Sequence, residues 1–149
     1  MVVERTLAAP APDEGCALLL GRHLTSTLDL LAVWPCRNQW EAPDERSRRF
    51  SIDPREQLLA QRWCRSRGLS VLGAAHSHPS SDAVPSATDL ELSVGPTLML
   101  IRSGLQQGPA ALRAWWVHGL NAFDSRQEKP KELTITLKLA AAGAEDLGE

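Results

Sequence analysis

Apolar positions along the chain fall into short runs with two different periods. Cys16–Leu20 is continuously apolar and closed by Gly21, the pattern of a central strand buried on both faces. Thr27–Trp34 predicts a second strand, with Thr25–Ser26 as the turn between the two and Pro35 as its end. Leu69–Ala75 is a third run, in which Gly73 marks a close approach of backbone or helix. Arg49–Ile52 and Thr97–Ile101 read as further short strands. Ala110–Val117 follows a turn at Gly104–Pro109 and puts Trp115 and Trp116 on opposite faces. In the stretch Leu133–Leu139, Leu133, Ile135, Leu137 and Leu139 alternate with Thr134, Thr136 and Lys138, the pattern of a half-exposed strand.

Between Ile52 and Leu69 the period becomes helical. Asp53 reads as an N-cap, Pro54 as the first helical residue and Glu56 as the partner in a capping box. The helix is expected to run to about Arg67, with Leu59, Ala60, Trp63 and Cys64 on its buried face. Arg62, Arg65 and Arg67 suit the negative end of its dipole, and Gly68 suits the position just past it. Elsewhere the pattern weakens. Met1–Asp13, with two prolines, has room for one helical turn at most; Asn38–Arg49 and Asn121–Lys131 are polar connections; Ala140–Glu149 reads as a frayed tail. One short helix from Ala87 to Ser93 is expected behind Ser86 as its cap. The sum is an α/β or α+β sheet with helices on its faces, a single domain over residues 1–139.

Composition narrows the function. A chain of 149 residues with 43% hydrophobic and 23% charged residues is an ordinary globular domain. A net charge of −2 argues against a nucleic-acid partner, and the Arg46, Arg48 and Arg49 cluster reads as a solvated loop. No apolar run approaches a membrane span, and Met1–Pro12 lacks the apolar core of a signal peptide, so a cytoplasmic protein is expected. Cys16, Cys36 and Cys64 form no CxxC pair and read as reduced, buried thiols.

The chemistry concentrates in Ala75–Asp89. His76 and His78 lie two apart at a strand end, so their imidazoles project together, and Pro79 stops the ladder behind them. The loop that follows delivers Ser86 and Asp89. Two imidazoles and a carboxylate suit Zn²⁺ and leave a fourth position open for water, the arrangement of a catalytic site. A base must still take the proton from that water, and Glu14, just before the first strand, is the candidate. Ser86, three residues before Asp89, fits the stabilisation of an oxyanion. Two other readings use the same residues. One is a metal-free hydrolase built on Ser86 or Ser77 with His76 and Asp89, although neither serine sits in a G-x-S-x-G elbow. The other is a binding module without catalysis. A zinc deaminase would need H-x-E and P-C-x-x-C, which the chain lacks. His23 and His118 read as surface or structural residues and not as ligands. Trp34, Trp40, Trp115 and Trp116 suit core packing or loop anchoring better than a peptide groove.

The complete set, Glu14, His76-Ser77-His78-Pro79, Ser86 and Asp89, resembles the signature of the JAMM (MPN-plus) zinc metallopeptidase family. Pro12–Gly21 is similar to the bacterial P-x-E-x-C-G-L-L-x-G start, with Ala17 where glycine is usual, and Arg49–Pro54 and Gly73 echo the family further. The resemblance spans about residues 12–103. It implies a cytidine-deaminase-like sandwich, a curved, mostly antiparallel mixed sheet flanked by helices. It also implies one zinc per chain on His76, His78 and Asp89 with a bound water, Glu14 as general base and Ser86 on the oxyanion. The implied reaction is cleavage of a peptide or isopeptide bond at the Gly-Gly tail of a ubiquitin-like or sulfur-carrier protein, the alternative being a metal-free scaffold of the same fold. Two departures shape the expectation. Only thirteen residues precede Glu14, so the helix that often precedes it is short or missing. The chain also lacks the insertions of eukaryotic deubiquitinating members, which favours a small carrier protein over polyubiquitin.

Overall fold

The computed structural model describes residues 1–119 and 128–138. Six strands form one mixed sheet in the order β2-β1-β3-β4-β5-β6. They are β1 (Cys16–His23), β2 (Leu28–Cys36), β3 (Ser70–His78), β4 (Thr97–Ser103), β5 (Leu112–Val117) and β6 (Lys131–Leu133). β3 and β4 run parallel; every other neighbouring pair is antiparallel. The described residues also form three α-helices: α1 (Val2–Ala8), α2 (Pro54–Arg65) and α3 (Ala87–Leu92). No helix among the described residues is long and apolar enough to cross a membrane.

The unbroken apolar run of β1 is explained by two cores. Ala17 and Leu19 join Val3 and Leu7 of α1 on one face, with Ala75, Leu98 and Leu100. Leu18 and Leu20 join Ala60 and Cys64 of α2 on the other. At the β5 end of the sheet, Met99, Ile101, Trp115 and Val117 pack around Ala83 of the loop after β3. Gly73 is required at its position: a Cβ there would run into the carbonyl of Leu98 on β4.

Beside β1 the registers slip. Leu20 and Gly21 pair with Ala32 and Leu30, leaving Leu31 extra; on the other side Leu19 and Leu20 pair with Gly73 and Val71, leaving Leu72 extra. Bulges at the same height on both neighbours bend the sheet. β2 is an edge strand and continues through Pro35, which pairs with Ala17, instead of ending there. An edge strand tolerates a proline because only one of its sides needs donors.

Further expectations are corrected. The first thirteen residues hold a seven-residue helix, not a single turn, because Val3 and Leu7 have a core to enter. Arg49–Ile52 is not a strand: Gln39 N–H bonds Ser51 O, but the side chain of Asn38 takes Arg49 O and Ser51 N–H in place of a strand partner. In α2, Asp53 caps Arg55 N–H as expected, while Glu56 accepts from Trp34 Nε1 at 2.7 Å instead of closing a capping box, and Leu59 is exposed. The helix ends at Arg65, two residues early, with Gly68 at φ +65° beyond it. Of the expected strand Leu133–Leu139, Leu133 ends β6 (Lys131–Leu133), residues 134–138 make no ladder, and Leu139 lies outside the described residues. The expected tail over residues 140–149 and most of the Asn121–Lys131 connection lie outside the described residues.

Candidate metal centre

Three of the five candidate residues are placed by the sheet. Cys16 on β1 pairs with His76 on β3 at the end of their ladder, and the Ser77 N–H to Gly15 O bond continues that register, bringing Glu14 level with His78. Directly opposed residues share a face, and this face is the one that carries α2. Between them the two strands are tied on both edges: Gly15 N–H donates to Ser77 Oγ at 2.8 Å, and Ser77 N–H donates to Gly15 O at 3.0 Å. The backbone of Glu14 is held as well. Its N–H donates to Arg46 O at 2.7 Å, and its carbonyl accepts from Asn38 Nδ2 at 3.2 Å. Glu14, His76 and His78 are in consequence almost fully buried, at 3%, 0% and 5% exposure.

The remaining two residues are placed by a helix start. Ser86 is the N-cap of α3 and Asp89 its third residue, and they form a reciprocal capping box. Asp89 N–H donates to Ser86 Oγ at 3.1 Å, and Ser86 N–H donates to Asp89 Oδ2 at 2.9 Å. This turns the Asp89 carboxylate back towards the strand ends. Ser86 itself is exposed.

The result is a triangle of donor atoms. His76 Nε2 and His78 Nε2 are 3.0 Å apart, and each is 3.1 Å from Asp89 Oδ2. Among the described residues this is the group of three whose ligand atoms converge on one point. A zinc ion with bonds of ~2.0–2.1 Å needs tetrahedral edges of roughly 3.3–3.4 Å, close to this triangle. The protons give a second test. His78 Nδ1 lies 2.7 Å from the carbonyl of Asp82, which can only accept, so the ring carries its proton there. In a neutral His78 the Nε2 lone pair therefore faces the Asp89 carboxylate and the second imidazole. Three electron-rich atoms at such distances require a cation or extra protons between them. The donor set fits a divalent transition ion such as zinc.

The electrostatics agree. Burial pushes the Glu14 carboxyl up, the His78 ring pulls it down and Asp89 pushes it up again, leaving it at about 7. One of its oxygens, Oε2, is buried with no hydrogen-bond partner. Burial lowers His76. Burial also works against a charged His78, but its bonds to Asp89 and Asp82 and the nearby carboxylates outweigh this and raise it. Burial pushes Asp89 up, yet the bonds from both imidazoles hold it well below the ordinary carboxylate range.

All five sequence candidates thus gather at the carboxyl ends of the parallel pair β3–β4, a common position for ligand sites. The two histidines outside the motif do not join them: His23 stacks edge-on against Trp116, and His118 pairs with Glu128. The four tryptophans named above all have structural partners: Trp34 bonds Glu56, Trp115 bonds Ala83 O, and Trp116 packs on the α1 core. Trp40 anchors its loop, donating Nε1 to Glu45 Oε2 at 2.8 Å, and it also lines a groove of about 610 Å³ whose walls include Phe50, Leu92, Val94, His76 and Asp89. Cys16 and Cys36 are free thiols pushed by burial to about 12 and about 11, and Cys64 is free as well.

Sequence reasoning missed the supports of the site: Ser77, Asn38, the carbonyl of Asp82, and Phe50, whose ring stacks on His76 at 4.5 Å and 21°. Ser77 and Phe50 lie within matched motifs but act only through contacts that no local pattern displays. Asn38 and Asp82 carry no signal at all.

Comparisons with known proteins bear on the same residues. The chain is 35% identical over 89 residues to desampylase of Haloferax volcanii, an alignment covering 60% of each chain. It is 34% identical over 89 residues to desampylase of Pyrococcus furiosus, covering 59% of this chain and 58% of that one. A third match, 35% identical over 80 residues, is to the histone deubiquitinase MYSM1 of Xenopus laevis, of which it covers 9%. The chain thus spans less than two thirds of the length of these curated relatives. A solution structure of a Desulfitobacterium hafniense protein superposes with a TM-score of 0.77 at 29% identity, covering 95% of this chain and 89% of that one. A Salinibacter ruber protein superposes at 0.60 with 27% identity, covering 90% and 86%. The family model described as prokaryotic homologs of the JAB domain matches residues 3–118. Family match, sheet and donor triangle agree: the chain belongs to the prokaryotic homologs of the JAB domain, a compact JAMM-type family.

Proposed function

We propose that this chain is a zinc-dependent peptidase or isopeptidase that cleaves a bond at the C-terminal tail of a ubiquitin-like protein. The observation that carries the reading is Glu14: a buried carboxyl, one oxygen without a partner, set opposite the His76–His78–Asp89 triangle. A cation held by those three residues supplies Lewis acidity, which polarises a carbonyl and acidifies a water. Glu14 accepts the proton of the attacking water and returns it to the departing amine. Burial, which makes this carboxyl more basic than an ordinary one, suits both halves of that transfer. Ser86 Oγ accepts from Asp89 N–H and keeps its own proton free to donate to a developing oxyanion.

The substrate follows from the groove and the relatives. A groove with Trp40, Phe50, Leu92 and Val94 on its walls suits an extended chain, not a folded surface. Desampylases and a deubiquitinase act on conjugates of modifier proteins by their names, and this chain is similar to both. Within that class a small sulfur-carrier protein with a Gly-Gly end is the favoured substrate, since the chain adds little around the groove. The three free thiols fit a reducing, cytoplasmic setting.

The test has two steps. Untagged protein purified without chelator is analysed for zinc, and about one ion per chain is expected. Glu14→Gln is then assayed on Gly-Gly-tailed conjugates; it should retain the ion and lose ~10²–10⁴-fold in rate. Full activity in Glu14→Gln removes Glu14 from the mechanism. A folded protein that takes up no zinc rejects the peptidase in favour of a binding module.

A further inference from the structure

The loop after β3 does not stand alone. Its carbonyl at Asp82 fixes the proton of His78 on Nδ1, and that carbonyl sits between two anchored neighbours. Ser103, the last residue of β4 and fully buried, donates its hydroxyl to Ser81 O at 2.7 Å. Trp115 on β5 donates Nε1 to Ala83 O at 2.9 Å. The same Ser103 oxygen accepts from Leu105 N–H and Gln106 N–H, so it is itself oriented. Two further contacts press the loops together: Gly104 N–H donates to His78 O at 2.8 Å, and a Cβ on Gly104 would run into the carbonyl of Pro79. Gln106 Nε2 reaches Asp82 Oδ1 at 2.9 Å.

The sheet explains why these residues meet. His78 and Ser103 are paired in the parallel ladder, so both side chains leave the same face at the same end. Trp115 lies opposite Met99 on that face, one strand further out. The indole then spans from β5 to the loop under Ala83, which is buried at 1% exposure. Among the described residues no equivalent hydrogen bond holds the other imidazole at Nδ1. His76 Nδ1 is buried without a partner, and the ring is held by the stack of Phe50.

We infer that Ser103 and Trp115 are positioning residues that pin residues 81–83 and thereby lock His78 in its Nδ1–H tautomer, leaving Nε2 free to bind the metal. The inference rests on the reading of His78 as a ligand. A ring free to exchange its proton between the two nitrogens offers the wrong atom part of the time, and outer partners of this kind are worth ~10–100-fold in metal affinity.

The experiment reads the tautomer directly. Long-range proton–nitrogen spectra of ¹⁵N-histidine-labelled, metal-free protein are recorded at a pH where the rings are neutral. Wild type should show His78 as the Nδ1–H form. Trp115→Phe keeps the aromatic packing and loses the donor; Ser103→Ala loses the other anchor. In each, the two His78 nitrogen shifts should move towards each other as the forms mix, with His76 unchanged, and zinc affinity should fall ~10–100-fold. Two variants guard against one failing to fold. Wild-type His78 shifts in both folded variants, or an Nε2–H ring in wild type, overturn the inference. If the tautomer responds as expected but wild type binds no zinc, the lock stands and the metallopeptidase reading fails.

Discussion

The two halves of the site are built by different means. Glu14, His76 and His78 are held by strand register, by backbone ties and by burial. Asp89 and Ser86 are held by one turn of a six-residue helix whose cap is exposed. The strand half draws its geometry from contacts spanning 62 residues of chain, so it is stiff and indifferent to its immediate sequence. The loop half is local: a Ser and an Asp three apart make a capping box anywhere, and here the box aims a ligand. The S-x-x-D spacing is therefore a structural requirement before it is a chemical one.

Substitutions can break this contrast. The largest effect is expected from Asp89→Ala. It should unload the metal by more than the ~100-fold typical of an outer partner, while the thermal transition of the metal-free protein barely moves, as metal titration and calorimetry would show. A large drop in that transition would mean the loop half also supports the fold.

The strand half should respond to pH instead. Glu14 sits near 7 when folded against an ordinary 4.5. Between these values the folded chain keeps a proton that the unfolded chain has released. Stability of the metal-free protein is therefore greatest at low pH on this account and is lost as pH rises through 7. Glu14→Gln removes the loss, so metal-free Glu14→Gln should be the more stable protein at pH ~8, by up to about 3 kcal/mol, and the advantage should vanish near pH ~4. Equal melting curves at both pH values would place Glu14 in a wetter site.

Ser77→Ala leaves the buried Gly15 N–H without its acceptor and should cost about 1–3 kcal/mol, read as a lower denaturant midpoint. Ser86→Ala removes an exposed cap and should cost only about 1 kcal/mol, yet slow turnover by ~10²–10³ if its hydroxyl meets the oxyanion. A rate loss no larger than the stability loss would confine Ser86 to its capping role.

Much of this was legible in the residues. The apolar runs located β1, β3 and β4, Asp53 and Gly68 bracketed α2, and the spacing from His76 to Asp89 held every residue of the triangle. What stayed hidden depended on partners far along the chain. Glu56 looks like half of a capping box until Trp34 reaches it. Arg49–Ile52 looks extended until Asn38 takes its backbone groups. Leu133–Leu139 has strand alternation, but of its described residues, 133–138, the first alone lies within the ladder to β5. α1 shows no clean period because two side chains, Val3 and Leu7, suffice to dock so short a helix.

The long edge of the sheet also bears on how crowded molecules of this protein behave. β2 is nine residues long and, among the described residues, has no strand on its outer side, although Lys138 reaches Asp29 on it. Its pairing to β1 runs on through Cys36, so the donor that Pro35 lacks is one the outer side would have offered, and the extra Leu31 twists the row midway. A stray strand arriving there meets a broken template at both its middle and its end, which discourages the sheet-to-sheet stacking that seeds fibrils. Replacing Pro35 would give that edge back an N–H it now lacks.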